Sequence, residues 1–220
     1  MLERIANGRT DLVFDWLDQG GAPDAEADRT SIAQWCAYYG DVSALRRLLS
    51  AGVTLDALGA DLGLNGAAFH GHWQLCAFLI ENGADPNHAL NDTGEVPLHS
   101  ALCRFESVAH ERVVQVLLAS GADPNRATVP GVATGCYMRD IRTWGETPLH
   151  RAAACGTAGS IAALVAAGAK PDARDVNGES PLTWGSRALR VSAILRMLLF
   201  DDQYIHPEYQ QMSVSLLGRP

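Results

Sequence analysis

Apolar residues fall along the chain in short blocks, three or four positions apart. Leu12, Val13, Trp16 and Leu17 form one block, and Val42, Leu45, Leu48 and Leu49 another. Leu75, Phe78, Leu79 and Ile80 follow, then Ile161, Leu164 and Val165. Such spacing puts one apolar stripe on each of several short amphipathic helices. The best-defined stretch predicts a complete unit. Thr147 can cap a helix by accepting from a free amide of the first turn, and Pro148 at the first helical position sacrifices no needed donor. Ala152, Ala153 and Ala154 let a neighbouring helix come close. Gly156 is expected to end this helix in the left-handed conformation that glycine takes cheaply. A second helix is expected over about 160–167, ended by Gly168, before a polar turn. A helical hairpin of this size cannot bury its own apolar face, so units must stack.

Two strings fix the period. Gly-Ala-Asp-Pro-Asn occurs at 83–87 and again at 121–125, with weaker copies beginning at Gly21, Gly52 and Gly168. The second string is Thr147-Pro148-Leu149-His150, copied as Val96-Pro97-Leu98-His99 and Ser180-Pro181-Leu182-Thr183. Pro148 and Pro181 lie 33 residues apart; Pro97 and Pro148 lie 51 apart, one unit plus an insertion.

These strings resemble the ankyrin repeat, whose signature is T-P-L-H-x-A at a period of about 33 residues. The resemblance implies an all-α solenoid of stacked helix-turn-helix units with β-turn loops, about five to six repeats including caps, forming one domain over 1–220. Residues 1–24 are expected to be an N-terminal cap. Repeats follow at 25–56, 57–89, 90–127 and 128–174, and 175–220 should hold the last repeat and a C-terminal cap or tail. Ser31-Ile32-Ala33-Gln34 and Leu62-Gly63-Leu64-Asn65 stand where the second and third units should carry T-P-L-H. Extra residues fall near 104–111, and a long loop spans 128–142.

The resemblance also implies a function, because ankyrin proteins commonly bind another protein on the concave face formed by turn tips and first helices. The positions expected there are Tyr38, Tyr39, Phe69, His70, Arg104, Trp144 and Arg187. Glu95, Glu146 and Glu179 fall among the expected turn positions. Arginine and aromatic side chains of this kind dominate interface energetics. The 128–142 loop adds Tyr137, Met138 and Arg139, and exceeds what a turn needs. Trp35 and Trp184 share a phase and are expected to pack inward. His99 and His150, in the family's motif, are implied to be hydrogen bonders between loops.

Composition narrows the classes. A formal net charge of -8, with Lys170 the sole lysine, argues against nucleic acid as a partner. No run of apolar residues is long enough for a membrane span, and the first residues lack a signal-peptide core. Five dispersed cysteines, Cys36, Cys76, Cys103, Cys136 and Cys155, suit free thiols in a reducing compartment. A cytoplasmic monomer is therefore expected, with a secreted effector as the other possibility. No catalytic, cofactor or metal set is expected: the His70-Gly71-His72 string with Cys76 lacks further ligands at defined spacing. An enzyme, small-molecule or metal site in the groove under the loop is the alternative, with Cys136, Cys155, His70 and Arg139 as its candidates.

Overall fold

The computed structural model describes residues 1–90, 92–134, 141–201 and 203. The expected Tyr137, Met138 and Arg139, and also Cys136, lie outside the described residues. Helix starts explain much of the architecture. At Ser31 the hydroxyl accepts from the Gln34 amide, while Gln34 Oε1 accepts from the Ser31 amide, both at 3.1 Å. This reciprocal box opens a helix without the T-P-L-H residues. Thr147 takes the N-cap position of its helix, as expected, with His150 in the role of Gln34. The Thr147 amide donates to His150 Nδ1 at 3.1 Å, and the Thr147 hydroxyl lies 2.9 Å from the same nitrogen rather than on a first-turn amide.

Twelve α-helices result among the described residues. The first pair is α1 (Leu2–Ala6) and α2 (Leu12–Asp18). A two-residue hairpin of β1 (Glu26–Ala27) and β2 (Thr30–Ser31) leads into α3 (Ile32–Tyr38) and α4 (Val42–Ser50). A single 3-10 turn (Leu55–Leu58) precedes α5 (Leu64–His70) and α6 (Trp73–Glu81). Then come α7 (Pro97–Ala101) and α8 (Val108–Ala119), α9 (Pro148–Cys155) and α10 (Ala158–Ala166), and α11 (Pro181–Arg187) and α12 (Ser192–Arg196). The first helices α1, α3, α5, α7, α9 and α11 stack in one row. The second helices α2, α4, α6, α8 and α10 stack in the other. This is an all-α repeat solenoid.

One continuous core runs between the rows. Leu45, Leu48, Leu75, Leu79, Leu117 and Leu164 seal it from the second helices, and Ala33, Ala68, Ala101, Ala152 and Ala153 from the first. Fully burying a leucine contributes about 1.5–3 kcal/mol, and small alanines bring the first helices close. Gly156 ends α9 with φ -70 and ψ 166, so the expected left-handed cap is absent. Glycine serves there for clearance: a Cβ would lie 2.9 Å from both Cα and the carbonyl oxygen of Ala152.

The Gly-Ala-Asp-Pro-Asn string clamps neighbours together. Asn87 Nδ2 donates to Gly121 O while Asn87 Oδ1 accepts from the Asp123 amide. Asn125 makes the same pair with Gly168 O and the Lys170 amide, each at 2.9 Å. The 128–142 insertion begins and ends as an extended stem. Gly131 and Thr143 are joined through Gly131 N–H to Thr143 O, Thr143 N–H reaches Val132 O, and Ala133 bridges antiparallel to Arg142.

Candidate partner-binding face

Helices α3 and α5 pack against each other, and each carries aromatic rings where it ends. Tyr38 meets Tyr39 edge-on at 5.0 Å and His70 at 4.8 Å. His70 continues the run to Phe69 at 5.1 Å. The Arg104 guanidinium lies over the Phe69 ring at 5.4 Å, a cation–π contact. Five expected residues are thus brought together across three successive repeats. Tyr38 is 50% exposed. Tyr39 also braces the stack, since its hydroxyl donates to Ala6 O at 2.9 Å and ties α3 to the N-terminal pair. Burial, then the neighbouring His72 and Arg104, push the His70 imidazole below its ordinary range.

The carbonyls behind this run are held from the next repeat. His72 Nε2 lies 3.0 Å from Tyr38 O, and His110 Nε2 lies 2.9 Å from Phe69 O. A carbonyl only accepts, so each imidazole donates there. His99 and His150 do the same between loops, donating through Nε2 to Glu146 O and Glu179 O. Their Nδ1 atoms accept from the Val96 and Thr147 amides. Burial holds both imidazoles below their ordinary range, His99 well below it.

Trp144 and Arg187, expected on the same face, belong to a second feature. Trp144 and Trp184 meet edge-to-face at 5.9 Å and 81°. They wall a cavity of about 470 Å³ with Ile141, Ala154 and Ala188. Trp184 is only partly buried and is fixed by donating from Nε1 to Asp175 Oδ2 at 3.0 Å. Arg187 pairs with Glu179 at the rim.

Two glutamates expected at exposed turn positions are buried instead. Arg151, fully enclosed, donates from Nη2 to Glu95 Oε1 and to Glu146 Oε1, each at 2.6 Å, and from Nε to Glu146 Oε1 at 2.9 Å. Thr134 Oγ1 adds a 2.5 Å bond to Glu95. Thr128 Oγ1 and the Trp144 amide donate to Glu146 Oε2. Burial alone would raise the Glu95 carboxyl, but Arg151 with the Thr134 and Thr93 hydroxyls outweighs it and leaves it lowered. The network joins three loops to α9 and anchors the insertion stem. A sequence signal for it exists: Glu95 and Glu146 each stand one residue before a string, and Arg151 follows its histidine.

Burial pushes the Cys36 and Cys76 thiols up to about 12, far from the reactive thiolate range. Cys155 Sγ donates to Leu102 O and Arg151 O. Among the described residues no group of three or more His, Cys, Asp or Glu side chains is placed to hold a metal ion. None of the described helices is long and apolar enough to cross a membrane.

The "ankyrin repeats (3 copies)" family model matches residues 34–128, and the single "ankyrin repeat" model matches 144–176. The chain is 34% identical to cyclin-dependent kinase 4 inhibitor B of Bos taurus over 124 residues, 56% of this chain and 80% of that protein. It is 34% identical to human ankyrin repeat and SOCS box protein 3 over 112 residues, 48% of this chain and 20% of that protein. It is 27% identical to human palmitoyltransferase ZDHHC13 over 180 residues, 73% of this chain and 28% of that protein. The chain therefore spans well under half of the last two relatives.

Proposed function

The chain belongs to the ankyrin-repeat family, and from that premise we propose that it works as a protein-binding adaptor or regulator rather than an enzyme. The observation carrying this reading is the contact run across neighbouring repeats in which exposed Tyr38 and Arg104 flank half-buried His70 and Phe69. The aromatic side chains have few rotatable bonds and the Tyr38 and Phe69 carbonyls are pinned from behind by His72 and His110, so these residues lose little entropy on binding. The similarity to an inhibitor of a cyclin-dependent kinase fits an action exerted through binding. In this reading the chain acts as a monomer, with α1 and α2 covering one end of the stack, and the 128–142 insertion adds contacts to the partner.

The test is affinity capture from an extract of the source cell, quantified by mass spectrometry. Tyr38→Ala and Arg104→Ala should each lower recovery of the specific partner about tenfold, the scale of a hot-spot residue. Melting temperatures should stay close to the parent value, because neither side chain is buried. Undiminished recovery with both variants would move the interface off this face.

A further inference from the structure

The cavity between Trp144 and Trp184 differs in its accessible charge from the rest of this acidic chain. Among the described lining residues the carboxylates are turned away from solvent, with only Glu179 Oε2 lacking a hydrogen-bond partner. Glu146 is buried and spends both oxygens on Arg151, Thr128 and the Trp144 amide. Glu179 is 13% exposed and paired with Arg187. Its lining cations are presented to solvent instead: Arg187 is 64% exposed, and Arg142 is exposed and donates from Nη1 to Gly131 O. A guanidinium carries five N–H donors in a planar fork, so most of each fork stays available to a carboxylate. Between the two forks the walls are apolar, formed by Trp144, Trp184, Ile141, Ala154 and Ala188. The space of about 470 Å³ lies within the usual range of ligand pockets, roughly 300–1,000 Å³.

We propose that this cavity seats one large apolar side chain of an acidic peptide segment, with Arg142 and Arg187 taking the carboxylates that flank it. The inference rests on the reading that the concave face binds a protein, and it names the chemistry of that partner. Charge complementarity selects the occupant. On a chain with a formal charge of -8, two exposed guanidiniums beside one apolar cavity give an acidic segment a local complement, and they set its register. A basic segment would approach two guanidiniums. So would a methylated ammonium, which paired tryptophans otherwise suit.

The test is fluorescence anisotropy with four labelled decapeptides. One carries a central phenylalanine flanked by aspartate and glutamate. The others carry the same phenylalanine flanked by serine and glycine, the same flanked by lysine, and a trimethyl-lysine in place of the phenylalanine. The acidic phenylalanine peptide should bind at least tenfold more tightly than the other three, and more weakly as salt rises. Ala188→Phe fills the cavity from an exposed position at the end of α11 and should weaken that peptide at least tenfold. Arg142→Gln, at the exposed rim, should weaken it severalfold and flatten the salt dependence, which keeps the test intact if Ala188→Phe folds poorly. Equal binding of the neutral or lysine-flanked peptide, preference for trimethyl-lysine, no binding of any peptide, or indifference to both substitutions would overturn the assignment. If Tyr38→Ala still cut capture of the native partner under any of those outcomes, the cavity assignment alone would fall.

Discussion

Arg151 and Glu95 stand 56 positions apart in the chain and meet at 2.6 Å with no solvent access to either side chain. Glu146 completes the group from the other side of the guanidinium. Such an arrangement gains little over a well-packed apolar core, but it is costly to break in half. Removing one partner strands the other charge where water cannot reach it. One oxygen of Glu95, Oε2, already has no hydrogen-bond partner, so the carboxylate is held through Oε1, where Arg151 brings the compensating charge and Thr134 a further hydrogen bond.

Arg151→Met should therefore destabilise the fold by about 3–5 kcal/mol, which urea unfolding would read as a lowered midpoint. The double variant in which Glu95→Gln is added should recover part of that loss, because one of the two stranded carboxylates, the other being Glu146, is then neutral. A single Arg151→Met costing no more than an ordinary surface substitution would show that the network does not hold the loops together.

The histidine clamps predict a pH dependence. His99 and His150 have imidazoles held below the ordinary value of 6.5 by burial, so the folded chain resists protonating them while the unfolded chain does not. Below about pH 6.5 the unfolded state binds more protons, and stability falls with falling pH. Their contribution is complete above 6.5 and diminishes as pH drops toward the folded values. Each histidine kept neutral costs about 1.4 kcal/mol per pH unit in that window. At about 2–4 °C per kcal/mol for a chain of this size, the melting temperature should drop by several degrees between pH 7 and pH 5.5. Carboxylates add their own loss only at lower pH. His99→Gln and His150→Gln should be less stable at pH 7 but show a shallower slope. A melting temperature flat across the window would reject the neutral, doubly bonded state of these rings.

The stack is legible in the sequence because two strings recur in phase, and a string recurs where the same backbone contact is made again. The histidine of T-P-L-H caps its own helix through Nδ1 and reaches the next loop through Nε2, so it is retained at 99 and 150. The aromatic run at Tyr38, Tyr39, Phe69 and His70 is legible once the ankyrin resemblance assigns a face to each first helix and repeat phase transfers it from unit to unit. Phase fails for Glu95 and Glu146. It locates them in turns, and turns are usually wet, but polarity does not reveal which turn residues point inward. Arg151 shows why. It occupies the position after the fourth string residue, where Trp35, Ser100 and Trp184 stand in other repeats. A charged side chain there needs carboxylates from neighbouring loops, a requirement no single repeat displays. The Gly156 turn departs from expectation for a related reason: its glycine answers to the proximity of Ala152, not to backbone torsion.

Asn125 offers the sharpest test of how repeats are coupled. Its amide group donates to Gly168 O and accepts from the Lys170 amide, so one side chain satisfies two backbone groups of the following unit. The copy beginning at Gly168 ends in Asp172, whose carboxylate cannot donate in this way. In a solenoid each unit is held only by its neighbours, so a loss at one interface releases what lies beyond it. Asn125→Ala removes two solvent-exposed hydrogen bonds, worth about 1–2 kcal/mol together. The effect should be uneven. Amide hydrogen exchange should quicken across α10, α11 and α12, while α3 to α6 keep their protection. Asn87→Ala, which breaks the equivalent clamp one repeat earlier, should extend the loosened region back to α8. Uniform loss of protection in both variants would mean that the chain unfolds as one unit, with the asparagine clamps setting no boundary within it.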